Sequence, residues 1–329
     1  MLPFRVVDQA AIEEILEMKT VIEVVEQAYA LKADGQASLF PLVFHEFEPG
    51  KADMDIKSGH VTGAHVFGLK LVSWFGENSA KGLPQLNGVV MVLDSRTGMP
   101  MGILSGEYIT CMRTGAAGGI GAKYLARPES EHLLIVGSGH QAPFQIMATL
   151  QTMPHIKKVS VWNPRSHAKA AAFCEAVQNQ FPVPLTAVED GERAVGEADI
   201  IITATSARQP LIRREWVRPG THLSCIGADM EGKQEIDERL FADARVFVDD
   251  VPQAVHVGET EIPVKKGIIT PDRIVAEIGE VILGRAEGRQ SDRDITIFDS
   301  TGIAIQDLLT AGHVLKEAEQ RGLGTVVHL

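Results

Sequence analysis

Leu133-Leu134-Ile135-Val136-Gly137-Ser138-Gly139-His140-Gln141-Ala142 is the stretch on which the reading of this chain turns. An apolar run enters glycines spaced Gly-x-Gly-x-x-Ala and continues into an amphipathic segment, a pattern that predicts strand, tight turn and helix. Gly137 permits the turn, Gly139 lets the backbone come close to a pyrophosphate, and Ala142 keeps the new helix against the sheet. The helix N-terminus adds unpaired N–H donors and a positive dipole end, both suited to an anion. Alone, such a string fits an ordinary strand-to-helix turn equally well, so its surroundings decide.

Downstream, strands are predicted at Val159–Trp162, Leu185–Val188, Ile200–Thr203, Thr221–Ile226 and Val246–Val248. Helices are predicted at Pro143–Met153, His167–Val177, Asp237–Ala244 and Arg273–Leu283, and the segment Ile295–Gly302 reads as a last strand entering a helix that runs through Lys316. Strands alternating with helical crossovers make a parallel sheet, and the glycine string becomes a dinucleotide cradle within it. Upstream the pattern differs. A strand at Phe4–Val7 and apolar residues at helical spacing up to Gly35 give way to short runs, Leu39–Phe47, Met54–Val61, His65–Phe75 and Val89–Leu93, which predict a mostly antiparallel sheet.

Asp94–Gly98 reads as a hairpin turn leading into a strand at Pro100–Leu104, and Glu107–Leu125 as a long helix. Gly115, Gly118, Gly119 and Gly121 would weaken that helix in isolation, so close packing against another backbone is expected. The fold class is α/β: a Rossmann dinucleotide-binding domain, residues 123–301, inserted into an α+β domain formed by residues 1–122 and completed by 302–329.

Composition narrows the function classes. The 329 residues carry a formal net charge of -12 with no clustered basic run, which argues against nucleic acid as a partner. The N-terminal residues are charged from Arg5 onward and hold no long apolar run, so neither a membrane span nor a signal peptide is expected. The three cysteines, Cys111, Cys174 and Cys225, lack metal-ligand spacing, so no metal site is expected and a reducing, cytoplasmic setting fits.

About twenty residues beyond the cradle, NAD binders usually place an acid on the adenosine ribose. Here the sequence reads Trp162-Asn163-Pro164-Arg165-Ser166, without a carboxylate. Asn163 can bond a ribose or phosphate oxygen, and Arg165 can pair with a 2′-phosphate, so NADP is preferred over NAD. A solvated loop charge is the plain alternative for Arg165.

The segments Gly68-Leu69-Lys70, Gly82-Leu83-Pro84, Leu93–Pro100, Thr110-Cys111-Met112-Arg113-Thr114-Gly115-Ala116-Ala117, Gly137–Ala142, Thr203-Ala204-Thr205 and Ile226-Gly227-Ala228-Asp229 occur in an order that resembles the ornithine cyclodeaminase/mu-crystallin family. The resemblance spans nearly the whole chain. It implies a homodimer whose first domain binds substrate and makes the dimer contact. It also implies that Lys70 and Arg113 hold an amino-acid carboxylate and that Asp229 faces the substrate nitrogen, with Asp229 and Lys70 in catalytic roles. Gly137, Ser138, Gly139, His140 and Gln141 would hold the pyrophosphate, with Thr203, Thr205, Ser300 and Gly302 close to the ribose or nicotinamide.

Two departures from the ornithine-acting members bear on substrate. Val43 stands where they carry the arginine of a Pro-x-Arg, and Lys57 stands where they carry a glutamate for the distal ammonium. Alternation in Met54–His60 places Asp55 and Lys57 on one strand face. If that face lines the site, Lys57 either reads a second carboxylate, as in iminosuccinate/aspartate, or replaces the missing arginine on a single one. His60 and His65 are further titratable candidates, although a strand histidine is more often structural.

The expected activity is NAD(P)H-dependent reduction of a small imino acid, or the reverse amino-acid dehydrogenation. A cyclodeaminase with internally recycled NAD is the enzymatic alternative, and a mu-crystallin-like protein that binds NADPH and a small ligand is the non-enzymatic one.

Overall fold

The computed structural model describes residues 3–328. Its elements run β1 (Pro3–Val7), α1 (Gln9–Ile15), α2 (Met18–Ala33), β2 (Ala37–Leu39), β3 (Val43–Glu48), β4 (Ala52–Val61), β5 (Val66–Phe75), β6 (Leu86–Asp94), β7 (Pro100–Ser105) and α3 (Gly106–Leu125). There follow β8 (His132–Val136), α4 (Ala142–Thr152), β9 (Lys158–Trp162), α5 (His167–Val177), β10 (Leu185–Val188), α6 (Gly191–Glu197), β11 (Ile200–Thr203), β12 (Arg208–Ile212) and β13 (His222–Cys225). The chain ends with β14 (Gln234–Ile236), α7 (Leu240–Asp243), β15 (Arg245–Val248), α8 (Val251–Val257), α9 (Glu261–Lys265), β16 (Ile274–Glu277), α10 (Ile278–Ile282), β17 (Thr296–Asp299), α11 (Ala304–Arg321) and β18 (Thr325–His328).

Two compact units result, Met1–Arg113 with Ile303–Leu329, and Thr114–Gly302. The sequence reading set its boundaries at 122/123 and 301/302. The first unit boundary falls earlier because the glycines of α3 pack on α4: a Cβ on Gly115 would stand 2.6 Å from the Phe144 carbonyl oxygen, and one on Gly119 2.9 Å from the Ala148 Cβ. This is the close backbone approach that the glycine run called for.

In the first unit the strands order as β18-β1-β7-β6-β5-β4-β2, with β3 also on β4. Pairing is antiparallel except between β1 and β7. On β5 the residues Val66, Gly68, Lys70 and Val72 are buried in strict alternation, and on β4 Lys57, Gly59 and Val61 match them. This inner face packs under α11. Gly59 and Gly68 are register partners, and a side chain at either would meet the neighbouring strand first: a Cβ on Gly68 would collide with the Met91 carbonyl oxygen and stand 3.0 Å from Leu308 Cδ2, and one on Gly59 would stand 2.7 Å from the Ser38 carbonyl oxygen. The opposite face is apolar and exposed. Phe47 stacks on Phe75, and Leu71 is in register with Val89.

The second unit is built on an eight-stranded parallel sheet of order β10-β9-β8-β11-β13-β17-β15-β16. Alternate residues of its central strands feed two cores, with Leu134 and Val136 on one face and Leu133 and Ile135 on the other. Because β9 lies on one side of β8 and β11 on the other, the strand order reverses at the cradle, the point where open α/β sheets bind ligands.

Two predicted helices are corrected. Arg273–Leu283 divides into β16 and the short α10, because the Ile274-Val275-Ala276 run pairs with β15 at the sheet edge and that pairing overrides its helical spacing. Asp237–Ala244 shrinks to the single turn of α7. Among the described residues no helix is long and apolar enough to cross a membrane, and no group of His, Cys, Asp and Glu could hold a metal ion.

Candidate functional site

The candidate residues fall into two groups, one in each unit. In the first unit, β4 supplies Lys57, β5 supplies Lys70 and the N-terminal half of α3 supplies Arg113, all nearly buried. Lys57 and Lys70 are directly opposed in the β4–β5 register. The sequence reading missed what lies between them. Asp307, on α11 and wholly buried, accepts from Lys70 Nζ at 3.1 Å and from Arg113 Nε at 2.9 Å through the same oxygen, Oδ1. Its Oδ2 is buried without a hydrogen-bond donor among the described residues, and so is Oδ1 of Asp55.

Burial and the neighbouring Arg113 push the Lys70 ammonium down to about 8, with Asp307 acting in the other direction. For Asp307 burial acts upward, but Arg113, Lys70 and Lys57 outweigh it and hold the carboxyl below its ordinary range. The sequence did hold a signal: an acid set in the apolar run Ile303-Ala304-Ile305-Gln306-Asp307-Leu308-Leu309, at core spacing on its helix. His65 sits in the turn between β4 and β5 with left-handed backbone, at φ 56°.

In the second unit, the carboxyl ends of β8, β9, β11, β13 and β17 gather the other predicted residues. Gly137 has φ 110°, and a Cβ there would meet the Ala204 carbonyl oxygen at 2.6 Å. Gly139 is exposed and open: nothing lies within 4 Å of where its Cβ would be. Gln141 Oε1 is buried without a donor among the described residues. An open approach at Gly139, an unsatisfied acceptor at Gln141 and the N-terminus of α4 together fit a dinucleotide pyrophosphate and the sugar hydroxyls beside it. His140 is exposed above Phe144, with ring centroids 6.1 Å apart.

Asn163 serves the cradle from the side. Its Nδ2 donates to Ser138 Oγ at 2.8 Å, and its Oδ1 accepts from the Arg165 and Ser166 amides at 3.0 and 3.2 Å. Arg165 is exposed beside it. Thr203 is wholly buried, and its hydroxyl donates to Glu235 Oε2 at 2.6 Å, which braces the loop beside the cradle. Glu235 also takes the Thr205 and Gly227 amides, at 2.7 and 2.8 Å. It thereby anchors the turn that presents Asp229, whose Oδ1 accepts from Lys233 Nζ at 2.6 Å.

Ser300 and Gly302 are fixed by buried Asp249, which accepts from the Ser300 hydroxyl at 3.2 Å and from the Gly302 amide at 2.7 Å. Glu259 accepts the Glu235 and Ile236 amides, and Asp299 accepts those of Glu259 and Thr260. Burial raises the proton affinity of all four acids, Asp299 to about 7. None of these acids was singled out from the sequence: Asp299 closes an apolar strand, and Glu235, Asp249 and Glu259 lie in or beside segments that carry no motif.

Residues 5–322 match the model of the ornithine cyclodeaminase/mu-crystallin family. The chain belongs to that family. Among its family relatives, an alanine dehydrogenase from Archaeoglobus fulgidus is 39% identical over 324 residues, covering 98% of this chain and 97% of the relative. An iminosuccinate reductase from Paracoccus denitrificans is 34% identical, covering 98% and 99%. Among solved structures of the family, an archaeal alanine dehydrogenase dimer with bound NAD superposes with a TM-score of 0.93 at 37% identity over the whole of both chains. The Rossmann fold read from Gly137–Ala142 is therefore shared with a nicotinamide-binding member of the family.

Proposed function

We propose that this family member is an NAD(P)H-dependent oxidoreductase that reduces a small imino acid to an amino acid, or runs the reverse oxidation. The observation that carries the reading is the cluster of Lys57, Lys70 and Arg113, three cations almost wholly withdrawn from water on one sheet face. Such a site holds an amino-acid carboxylate and thereby fixes the carbon next to it. Lysine at position 57 offers nothing to a distal ammonium, which counts against the ornithine-type cyclodeaminase. The relatives that reduce imines or oxidise amino acids support the same chemistry.

Gly137, Ser138, Gly139, His140 and Gln141 would hold the dinucleotide, with Thr205, Ser300 and Gly302 shaping the loops beside it. When bound, the nicotinamide supplies or accepts the hydride at the imine carbon. Asp229, steadied by Lys233, offers a carboxylate to the iminium nitrogen and stabilises its positive charge. Lys70, with its proton affinity lowered to about 8, can release or take up a proton beside the bound carboxylate near neutral pH. Arg113 is held by its Nε and directs its two terminal nitrogens as a fork.

NADP is the preferred cofactor and NAD the alternative, on the ground that Arg165 stands where an acid would repel a 2′-phosphate. A homodimer fits the apolar outer sheet face that carries Phe47, Leu71, Phe75 and Val89. A cytoplasmic setting fits three buried cysteine thiols.

The reading is tested by supplying 2-oxo acids with ammonia or methylamine and following NADPH and NADH absorbance. Steady consumption with at least one oxo acid is the expected result. Silence across all of them would overturn the oxidoreductase reading, and ammonia release from ornithine without net cofactor change would select the cyclodeaminase.

A further inference from the structure

The sequence leaves two roles open for Lys57, a reader of a second substrate carboxylate or a replacement for the missing arginine on a single one. Three cations in a row favour the first only if nothing already answers them. Two carboxylates do. Asp307 is wholly buried against Lys70 and Arg113, at 3.1 and 2.9 Å. Asp55 shares the face of Lys57 on β4, and its charge acts on Lys70.

The cluster therefore sets three buried cations against two carboxylates, Asp307 wholly buried and Asp55 half-buried with its Oδ1 withdrawn from solvent. One substrate carboxylate brings it to neutrality. A second would leave a net negative charge in a site withdrawn from water, which costs more than a long-range attraction returns. Asp307 also fixes geometry: by taking the Nε side of Arg113 it turns the Nη pair toward an incoming planar anion.

Resting on the imino-acid reading above, we propose that Asp307 is a positioning and specificity-determining residue that limits this site to substrates with a single carboxylate beside the imine. Lys57 then stands in for the arginine that Val43 replaces. A dicarboxylic substrate would need a cation that this cluster does not provide.

The test is made on the full chain with NAD+ present, using L-lactate and L-malate as non-reacting mimics titrated by calorimetry. At least tenfold tighter binding of lactate is expected. Equal binding, or tighter malate, overturns the proposal. In Asp307→Asn the lactate-to-malate ratio should fall at least tenfold, and Asp307→Glu should restore much of it; an unchanged ratio in Asp307→Asn also overturns it.

Should circular dichroism show that Asp307→Asn does not fold, Asp55→Asn removes the second negative group and should shift the ratio in the same direction. A pH profile separates positioning from mere support. Lys70 is faced by Lys57 and Asp55 of β4, Arg113 and Cys111 of α3, and Asp307 of α11, and loss of the Asp307 charge should move the Lys70 limb of kcat/KM to lower pH. An unmoved limb would reduce Asp307 to a structural role.

The two readings fail separately. Reduction of the oxaloacetate imine faster than the pyruvate imine sinks the single-carboxylate limit and leaves the reductase intact. Lactate preference without reduction of any imine does the reverse.

Discussion

One carboxylate oxygen of Asp299, at the carboxyl end of β17, accepts from both the hydroxyl and the amide of Thr260, at 2.6 and 2.8 Å. The group is wholly buried, and burial raises its pKa to about 7. A carboxyl whose folded pKa lies above its unfolded value contributes stability that is complete below about pH 4 and lost as pH rises through about 7. His222 acts in the opposite sense, since burial lowers its pKa to about 3 and its contribution is lost as pH falls below about 6.5. The comparison of Asp299→Asn with the parent isolates the first effect. The variant should lose most relative to the parent at pH 5 and least at pH 8, as read from paired thermal melts. A gap that stays constant from pH 5 to pH 8 would show that Asp299 is already ionised in the folded protein at pH 5, and would overturn the raised pKa.

Gly137 and Gly139 should answer differently to the same added methyl group. At Gly137 the left-handed φ and the Ala204 carbonyl oxygen leave no room, so Gly137→Ala should lower Tm by several degrees. At Gly139 the fold leaves the position open, so Gly139→Val should melt within about 2 °C of the parent. Its KM for the dinucleotide should nonetheless rise at least tenfold, because the new side chain fills the space through which a pyrophosphate approaches. Unchanged KM would remove Gly139 from the cradle.

Arg165→Glu replaces a partner for a 2′-phosphate with a charge that repels it. The ratio of kcat/KM for NADPH to that for NADH should fall by about a hundredfold, mostly through KM for NADPH, a change worth about 3 kcal/mol. A ratio that does not move would identify Arg165 as a solvated loop charge.

Asp229→Asn keeps the shape of the side chain and removes its charge. The expected loss is about a hundredfold or more in kcat with KM for the oxo acid changed less than about threefold, because the carboxylate is held by other residues. Loss confined to KM would instead place Asp229 in substrate binding. The circular dichroism spectrum should match the parent, since Glu235 and not Asp229 anchors the Gly227 turn.

The parallel sheet was legible in the sequence because its strands are short apolar runs buried on both faces, and the cradle because its glycines obey a steric rule that any sequence must obey. Lys57, Lys70 and Arg113 could be grouped through strand alternation and resemblance. Asp307 could not, since it reaches Lys70 from a segment 237 residues away. Glu235, Glu259, Asp249 and Asp299 escaped for a related reason: their partners are mostly backbone amides and hydroxyls, which leave no trace in side-chain patterning. The short β16 was lost to a helical spacing that edge pairing overrode.

Gly59 and Gly68 bear no chemistry, yet they lie in register with each other on the strands that carry Lys57 and Lys70. A side chain at either would collide first with the backbone of the neighbouring strand, at Met91 for Gly68 and at Ser38 for Gly59, and so disturb the pairing of the strands that carry Lys57 and Lys70. In a saturation library selected for growth on this activity, those two positions should therefore be as intolerant as the charged residues themselves. Reading function from reactive side chains alone would overlook them.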